Sequence, residues 1–293
     1  MKLPDGVRIE AGPGGLERLV IAARDGEAHV YTHGANVAHF QPNGARPVLF
    51  MSRRAQFEAG APGKALRGGV PICFPWFGGR ASDPQAPVHG TARLFAWTID
   101  SVTDGADGTV EARLGLASTE YSRGLYPHDF ALTFVVAVGA TLRMELQVRN
   151  PGSGPISFED AFHTYFAVSD VRQIAVSGLA GATYVDKVDA FKRKVAPGEP
   201  LVITGETDRV FLGTTGVATI DDPGWKRRIA VEKAGSSTSV VWNPSEAKAR
   251  TIPDLGDDDW RSFVCVEAAN AADDAVTLAP GATHSLAATI RIE

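Results

Sequence analysis

Six polar side chains in this sequence stand where simple core packing gives them no use: Arg67, His89, Arg93, His163, Asp186 and Glu267. His163 lies in Asp160-Ala-Phe-His-Thr-Tyr-Phe166, an otherwise aromatic, strand-like run. Taken alone, such a histidine is more often a hydrogen-bonded core residue than a catalyst. Glu267 closes Phe263-Val-Cys-Val-Glu, where apolar residues continue on both strand faces and a carboxylate is expensive to bury without a partner. It reads either as a structural ion-pair member or as a general base whose pKa is shifted by a partly dry setting. Arg67 precedes Gly68 and Gly69, which would permit close backbone approach to a ligand. Arg93 ends a turn-like His89-Gly-Thr-Ala-Arg. Two guanidinium groups at one pocket would suit a phosphate or a polyhydroxylated ring, because each offers a planar fork of donors that stays charged. His89 is a pocket donor or a turn residue, and Asp186, between Val185 and Lys187, reads by itself as an exposed loop charge. Together they predict a pocket for a small polar, anionic molecule.

The elements that must position these groups are strands. Leu142, Met144, Leu146 and Val148 alternate with Arg143, Glu145, Gln147 and Arg149, giving one apolar and one polar face at a period of two. Phe130 to Val138 is apolar on both faces, and Gly139-Ala140 joins the two runs as a hairpin. Val110 to Leu116 and Leu286 to Ile292 repeat the alternation, and shorter strand candidates recur throughout. Helices are expected only at Ser52 to Ala59 and Pro244 to Arg250. The prediction is an all-β chain, a large antiparallel β-sandwich with few short helices, forming a single domain over residues 1–293. Arg67 to Pro87 and Ala247 to Asp259 are long unpatterned stretches of the kind that carry function on a rigid scaffold. The acidic residues of the second, Asp254, Asp257, Asp258 and Asp259, read as a solvated face rather than a metal site.

A charge of -5 over 293 residues leaves no electrostatic footprint for nucleic acid, and 44% hydrophobic content is ample for a core. The opening Met-Lys-Leu-Pro-Asp-Gly does not resemble a signal peptide, and no apolar run has the length of a membrane helix. A cytoplasmic monomer with no nucleic-acid or membrane partner is the expectation. Cys73 and Cys265 have apolar neighbours and no metal-ligand spacing, and read as small buried hydrophobes.

The ordered set Arg67-Gly-Gly-Val-Pro-Ile-Cys-Phe-Pro-Trp-Phe-Gly78, His89-Gly-Thr-Ala-Arg93, His163-Thr-Tyr-Phe166, Tyr184-Val-Asp-Lys187, Trp242-Asn-Pro244 and Phe263-Val-Cys-Val-Glu267 resembles the glucose-6-phosphate 1-epimerases. These are hexose-6-phosphate mutarotases of the galactose-mutarotase-like, or aldose 1-epimerase, superfamily. The resemblance spans nearly the whole chain. It implies a β-supersandwich and cofactor-free, metal-free interconversion of the α and β anomers of a hexose 6-phosphate. By motif position, His163 would be the general acid, Glu267 the general base, and Arg67, His89, Arg93 and Asp186 substrate-binding residues. Val88 departs from the pattern, since some members carry Gln there and a valine side chain cannot hydrogen-bond a sugar.

The chemistry suits those residue types. A pyranose changes anomer when its C1 hydroxyl loses a proton while the ring oxygen gains one; the ring opens, the C1–C2 bond rotates, and closure occurs on the other face. A carboxylate and an imidazolium suffice. Three other readings compete: a mutarotase for unphosphorylated aldoses, a carbohydrate-binding module without turnover, and a glycoside hydrolase in which Asp186 and Glu267 would flank a glycosidic bond.

Overall fold

Strand alternation becomes burial along Leu142–Arg149, where Leu142, Met144, Leu146 and Val148 are fully buried while Arg143 and Arg149 face solvent. The computed structural model, which describes residues 1–198 and 200–293, places this strand in a nine-stranded sheet. It is bounded by the hairpin partner Ala131–Val138 on one side and the C-terminal strand Thr283–Ile292 on the other. The second large sheet has eight strands and carries the candidate site. Its order runs Lys192–Val195, Thr183–Asp186, Thr207–Leu212, Thr238–Asn243, Phe263–Asn270, Asp160–Phe162 and Ile72–Cys73, with Tyr165–Ala167 also paired to Phe263–Asn270. A four-stranded antiparallel meander from Val7 to Pro42 and a two-stranded ribbon complete the β structure.

The two large sheets face each other through one apolar cluster. Phe134 of the nine-stranded sheet meets Phe162 of the eight-stranded sheet at 5.8 Å between ring centroids, and Val241, Val264 and Val266 belong to the same core. Phe263–Asn270 is buried on both faces over its whole length, because loops cover the side that faces away from the nine-stranded sheet. That covered outer face holds the chemistry.

Among the described residues, helix is confined to Glu120–Leu125 and Ser245–Ala249 plus short 3-10 turns. The second matches the expectation at Pro244 to Arg250. The first was not foreseen, although Thr119 and Ser122 form a capping box at its start. Ser52 to Ala59 is not helical. The Ser52 hydroxyl donates to the Asp259 carboxylate at 2.8 Å instead of capping a helix, and Asp259 also accepts the backbone N–H of Gly256 at 2.9 Å. The acidic loop is therefore only half a solvated face: Asp257 and Asp258 are exposed, whereas Asp259 is buried and bolts two loops together. Among the described residues no helix is long and apolar enough to cross a membrane.

Candidate active site

Register brings the imidazole and the carboxylate together. Phe162 pairs with Ala268, and Tyr165 pairs with Cys265. The intervening His163 and Thr164 thus lie opposite Glu267 and Val266, and strand alternation turns His163, Tyr165, Cys265 and Glu267 to one face. His163 Nδ1 lies 3.5 Å from Glu267 Oε1. The imidazole stacks on Tyr165, with centroids 4.9 Å apart and planes 14° off parallel. Trp242 and His89 meet it edge-on at 5.6 and 5.1 Å. The backbone N–H of His163 is fixed to Pro71 O at 3.0 Å.

This pair is costly to maintain. Glu267 is 1% exposed and His163 6%, yet both carboxylate oxygens and His163 Nδ1 lack a hydrogen-bond partner among the described residues. An unmatched buried polar group costs about 1–3 kcal/mol, more when charged. Burial, helped by Asp208, pushes the Glu267 carboxyl well above the usual carboxylate range, against the opposing pull of Lys187 and Arg93. Burial, then the positive charges of Arg93 and Arg67, push the His163 imidazole well below its usual value. Burial thus disfavours the charged form of each group.

Arg67 and Arg93 both reach the neighbourhood of the pair, in different electrical states. Arg67 donates to Asp254 at 3.1 Å and to the Tyr165 hydroxyl at 3.0 Å, so its charge is matched by a half-buried carboxylate. Among the described residues Arg93 donates to the Val88 carbonyl at 2.5 Å, and its Nε is buried without a partner. Val88 thus contributes its carbonyl, while its side chain is 52% exposed. Gly68 and Gly69 serve chain packing rather than ligand approach: both have positive φ. A Cβ would lie 2.5 Å from Phe50 O at the first and 2.4 Å from Asn36 Oδ1 at the second. His89 sits at φ 62°, held because its backbone N–H donates to Gly78 O at 2.7 Å and its Nδ1 accepts from Gly78 N–H at 3.1 Å. That acceptor role assigns the neutral tautomer with Nε2–H as donor.

Asp186 is the one residue of the predicted set that the structure does not bring to the pair. Its register partner is Arg209, on the face opposite Glu267, and its carboxylate binds Lys194 at 2.7 Å and the backbone N–H groups of Val188 and Asp189. It secures a hairpin. The neighbouring acid Asp208 faces the site instead: it pairs in register with Trp242, which pairs with Cys265, and forms an ion pair with Lys187 at 3.1 Å. Asp208, Tyr165, Trp242 and Asp254 are site residues that the sequence reading did not single out. For Asp208 the available signal was its place on the strand Thr207–Leu212.

The arrangement offers an imidazole and a carboxyl 3.5 Å apart, a donor at His89, one matched and one poorly matched guanidinium, and an ammonium–carboxylate pair around a sheltered face. It can move a proton between two oxygens of a small polar ring while holding an anion nearby.

Comparison with known proteins gives a consistent picture. The family model described as aldose 1-epimerase matches residues 17–291. A curated protein of Escherichia coli, provisionally named glucose-6-phosphate 1-epimerase, is 35% identical over 277 residues, covering 94% of this chain and 90% of its own. A plant protein of the same provisional name, from Cenchrus ciliaris, is 35% identical over 280 residues, covering 92% of this chain and 82% of its own. The crystal structure of a provisionally assigned mutarotase from Salmonella typhimurium superposes with a TM-score of 0.91 at 32% identity, over 99% of this chain and 95% of the other.

Proposed function

The chain belongs to the aldose 1-epimerase family, and from that premise we propose that it interconverts the α and β anomers of a hexose 6-phosphate, glucose 6-phosphate foremost. His163 and Glu267 are its acid–base pair. The observation that carries this reading is the buried His163–Glu267 contact at 3.5 Å, whose polar atoms have no hydrogen-bond partner among the described residues and are placed to meet the hydroxyls of a ligand.

In the opening step Glu267 takes the proton of the C1 hydroxyl while His163 delivers one to the ring oxygen. The C1–O bond to the ring breaks, C1 becomes an aldehyde, and O5 becomes a hydroxyl. Rotation about C1–C2 presents the other carbonyl face, and closure returns both protons. Each transfer is worth about 10²- to 10⁴-fold. The active ion state needs a charged imidazole, which Arg93 and Arg67 disfavour in the free protein. A phosphate against Arg93 offsets that repulsion and so favours the imidazolium, while Lys187 still favours the Glu267 carboxylate. Relatives whose names specify glucose 6-phosphate support the same substrate. Arg67, already matched by Asp254, is suited to ring hydroxyls, as are His89 and Asp208. Asp186 acts by holding its hairpin, beside which Lys187 and Asp208 meet. That placement also weighs against a glycosidase, whose two carboxylates must face one bond. A phosphorylated substrate fits a cytoplasmic protein.

The experiment compares anomer exchange for glucose and glucose 6-phosphate in the wild type and in Arg93→Ala. The substitution is expected to raise KM for the phosphorylated sugar by about tenfold or more, from loss of a charge-assisted contact, and to change the plain sugar little. Equal losses on both sugars would remove phosphate recognition from Arg93.

A further inference from the structure

The face that carries the acid–base pair also carries a sulfur. Cys265 lies two residues before Glu267 on the same strand, so both side chains point to one side, and Cys265 is a free, fully buried thiol. One ligating atom each from His163, Cys265 and Glu267 lies within 4.8 Å of the other two. Three of the polar atoms in this group, His163 Nδ1 and both oxygens of Glu267, are buried without a hydrogen-bond partner. A tetrahedral zinc ion, with bonds of about 2.0–2.1 Å to nitrogen or oxygen and about 2.3 Å to sulfur, holds its ligands roughly 3.3–3.8 Å apart. The His163–Glu267 separation of 3.5 Å already lies in that range, and the remaining atom needs a shift of at most about 1 Å.

We propose that His163, Cys265 and Glu267 form a binding site for a thiophilic divalent cation, of which Zn²⁺ is the type, and that an ion bound there switches the acid–base pair off. Binding releases the Cys265 thiol proton and the proton shared by His163 and Glu267, leaving a thiolate, a carboxylate and a neutral imidazole as ligands. Their two negative charges match the dication. Around them Asp208 favours the ion, whereas Lys187, Arg93 and Arg67 oppose it. With Glu267 coordinated, no base remains for the C1 hydroxyl. Hard cations such as Mg²⁺, which prefer oxygen ligands, gain little from the sulfur. The spacing was invisible in sequence because His163 joins the other two only through strand pairing.

Two readouts test this. In the first, Co²⁺ replaces Zn²⁺ as a spectroscopic probe on the substrate-free protein. A thiolate-to-cobalt charge-transfer band is expected in the wild type and absent from Cys265→Ser. No band in the wild type, or a band that persists in the variant, overturns the site. In the second, Zn²⁺ is expected to slow anomer exchange reversibly, with chelator restoring it and equal Mg²⁺ without effect. Cys265→Ser and Cys265→Ala, at unchanged metal-free rate, should need at least about tenfold more Zn²⁺, since even outer-shell changes cost 10–100-fold in metal affinity. Equal sensitivity in both variants would overturn the inhibition. The cobalt band requires no turnover, so it can fail or succeed independently of the proposed substrate.

Discussion

At the scale of single residues, the account turns on two groups whose environments drive them toward neutrality from opposite directions. Burial raises Glu267 and lowers His163, so the singly protonated pair is favoured over the doubly protonated and the fully deprotonated one. Its acidic limit is set by proton uptake on the imidazole and its alkaline limit by loss of the last proton from the carboxyl, as macroscopic properties of the pair. Asp208 raises Glu267 and is absent from the groups acting on His163. Asp208→Asn should therefore move the alkaline limb of the kcat/KM profile to lower pH. A profile whose acidic limb alone moves would reverse the assignment; an unphosphorylated aldose is the control, because a sugar phosphate itself titrates near pH 6, as phosphate monoesters do. The roles of His163 and Glu267 were expectations from motif position, but that they interrupt apolar runs was legible in sequence, because a polar group there is expensive and conspicuous. Asp208 was not, since an acid at the edge of an expected strand looks like turn punctuation. Asp186, one residue before Lys187, attracted a role that alternation assigns to the other face.

At the scale of elements, the strand pair Asp160–Phe162 and Phe263–Asn270 must hold its register or the site is lost, and it contains a second buried acid. Asp160 is fully buried, accepts one hydrogen bond from Asn270 at 2.8 Å, and leaves its other oxygen unpartnered. Burial raises its pKa from 3.8 to about 7. The folded state thus holds this proton more tightly than the unfolded chain. The resulting stability is complete below pH 3.8 and disappears as pH rises through about 7. Asp160→Asn, which cannot ionise, should lose that slope, so its stability relative to wild type increases between pH 4 and 8, by a few kcal/mol at most. Denaturant titrations across that range would detect it, and parallel curves for the two proteins would contradict the buried-proton account. Long alternating strands such as Leu142–Arg149 were readable from period alone. Segments such as Ser52 to Ala59 were not, because Ser52 has the residue type of a helix cap and only the distant Asp259 decides its partner.

At the scale of the whole molecule, the nine-stranded sheet supports the eight-stranded one from behind and leaves the opposite face free for chemistry. Phe134 should then be structural and remote from the reaction. Phe134→Ala is expected to cost about 3–5 kcal/mol and lower Tm by several degrees, while kcat measured well below the transition stays near wild type. A matching fall in kcat would mean that the core tunes the site directly. The all-β class and sandwich architecture were legible from composition and alternation. Which face would be sheltered by loops was not, since it depends on contacts such as Arg67 to Asp254 between segments far apart in the chain.

The most direct measurement is magnetisation-transfer NMR between the anomeric signals of glucose 6-phosphate, with wild-type protein, His163→Ala and Glu267→Gln at equal concentration and with circular dichroism to verify folding. The wild type should accelerate exchange well above the buffer rate, and each variant should fall by at least about 10²-fold. A folded Glu267→Gln protein that exchanges the anomers as fast as wild type would contradict the acid–base pair on which the mechanism rests.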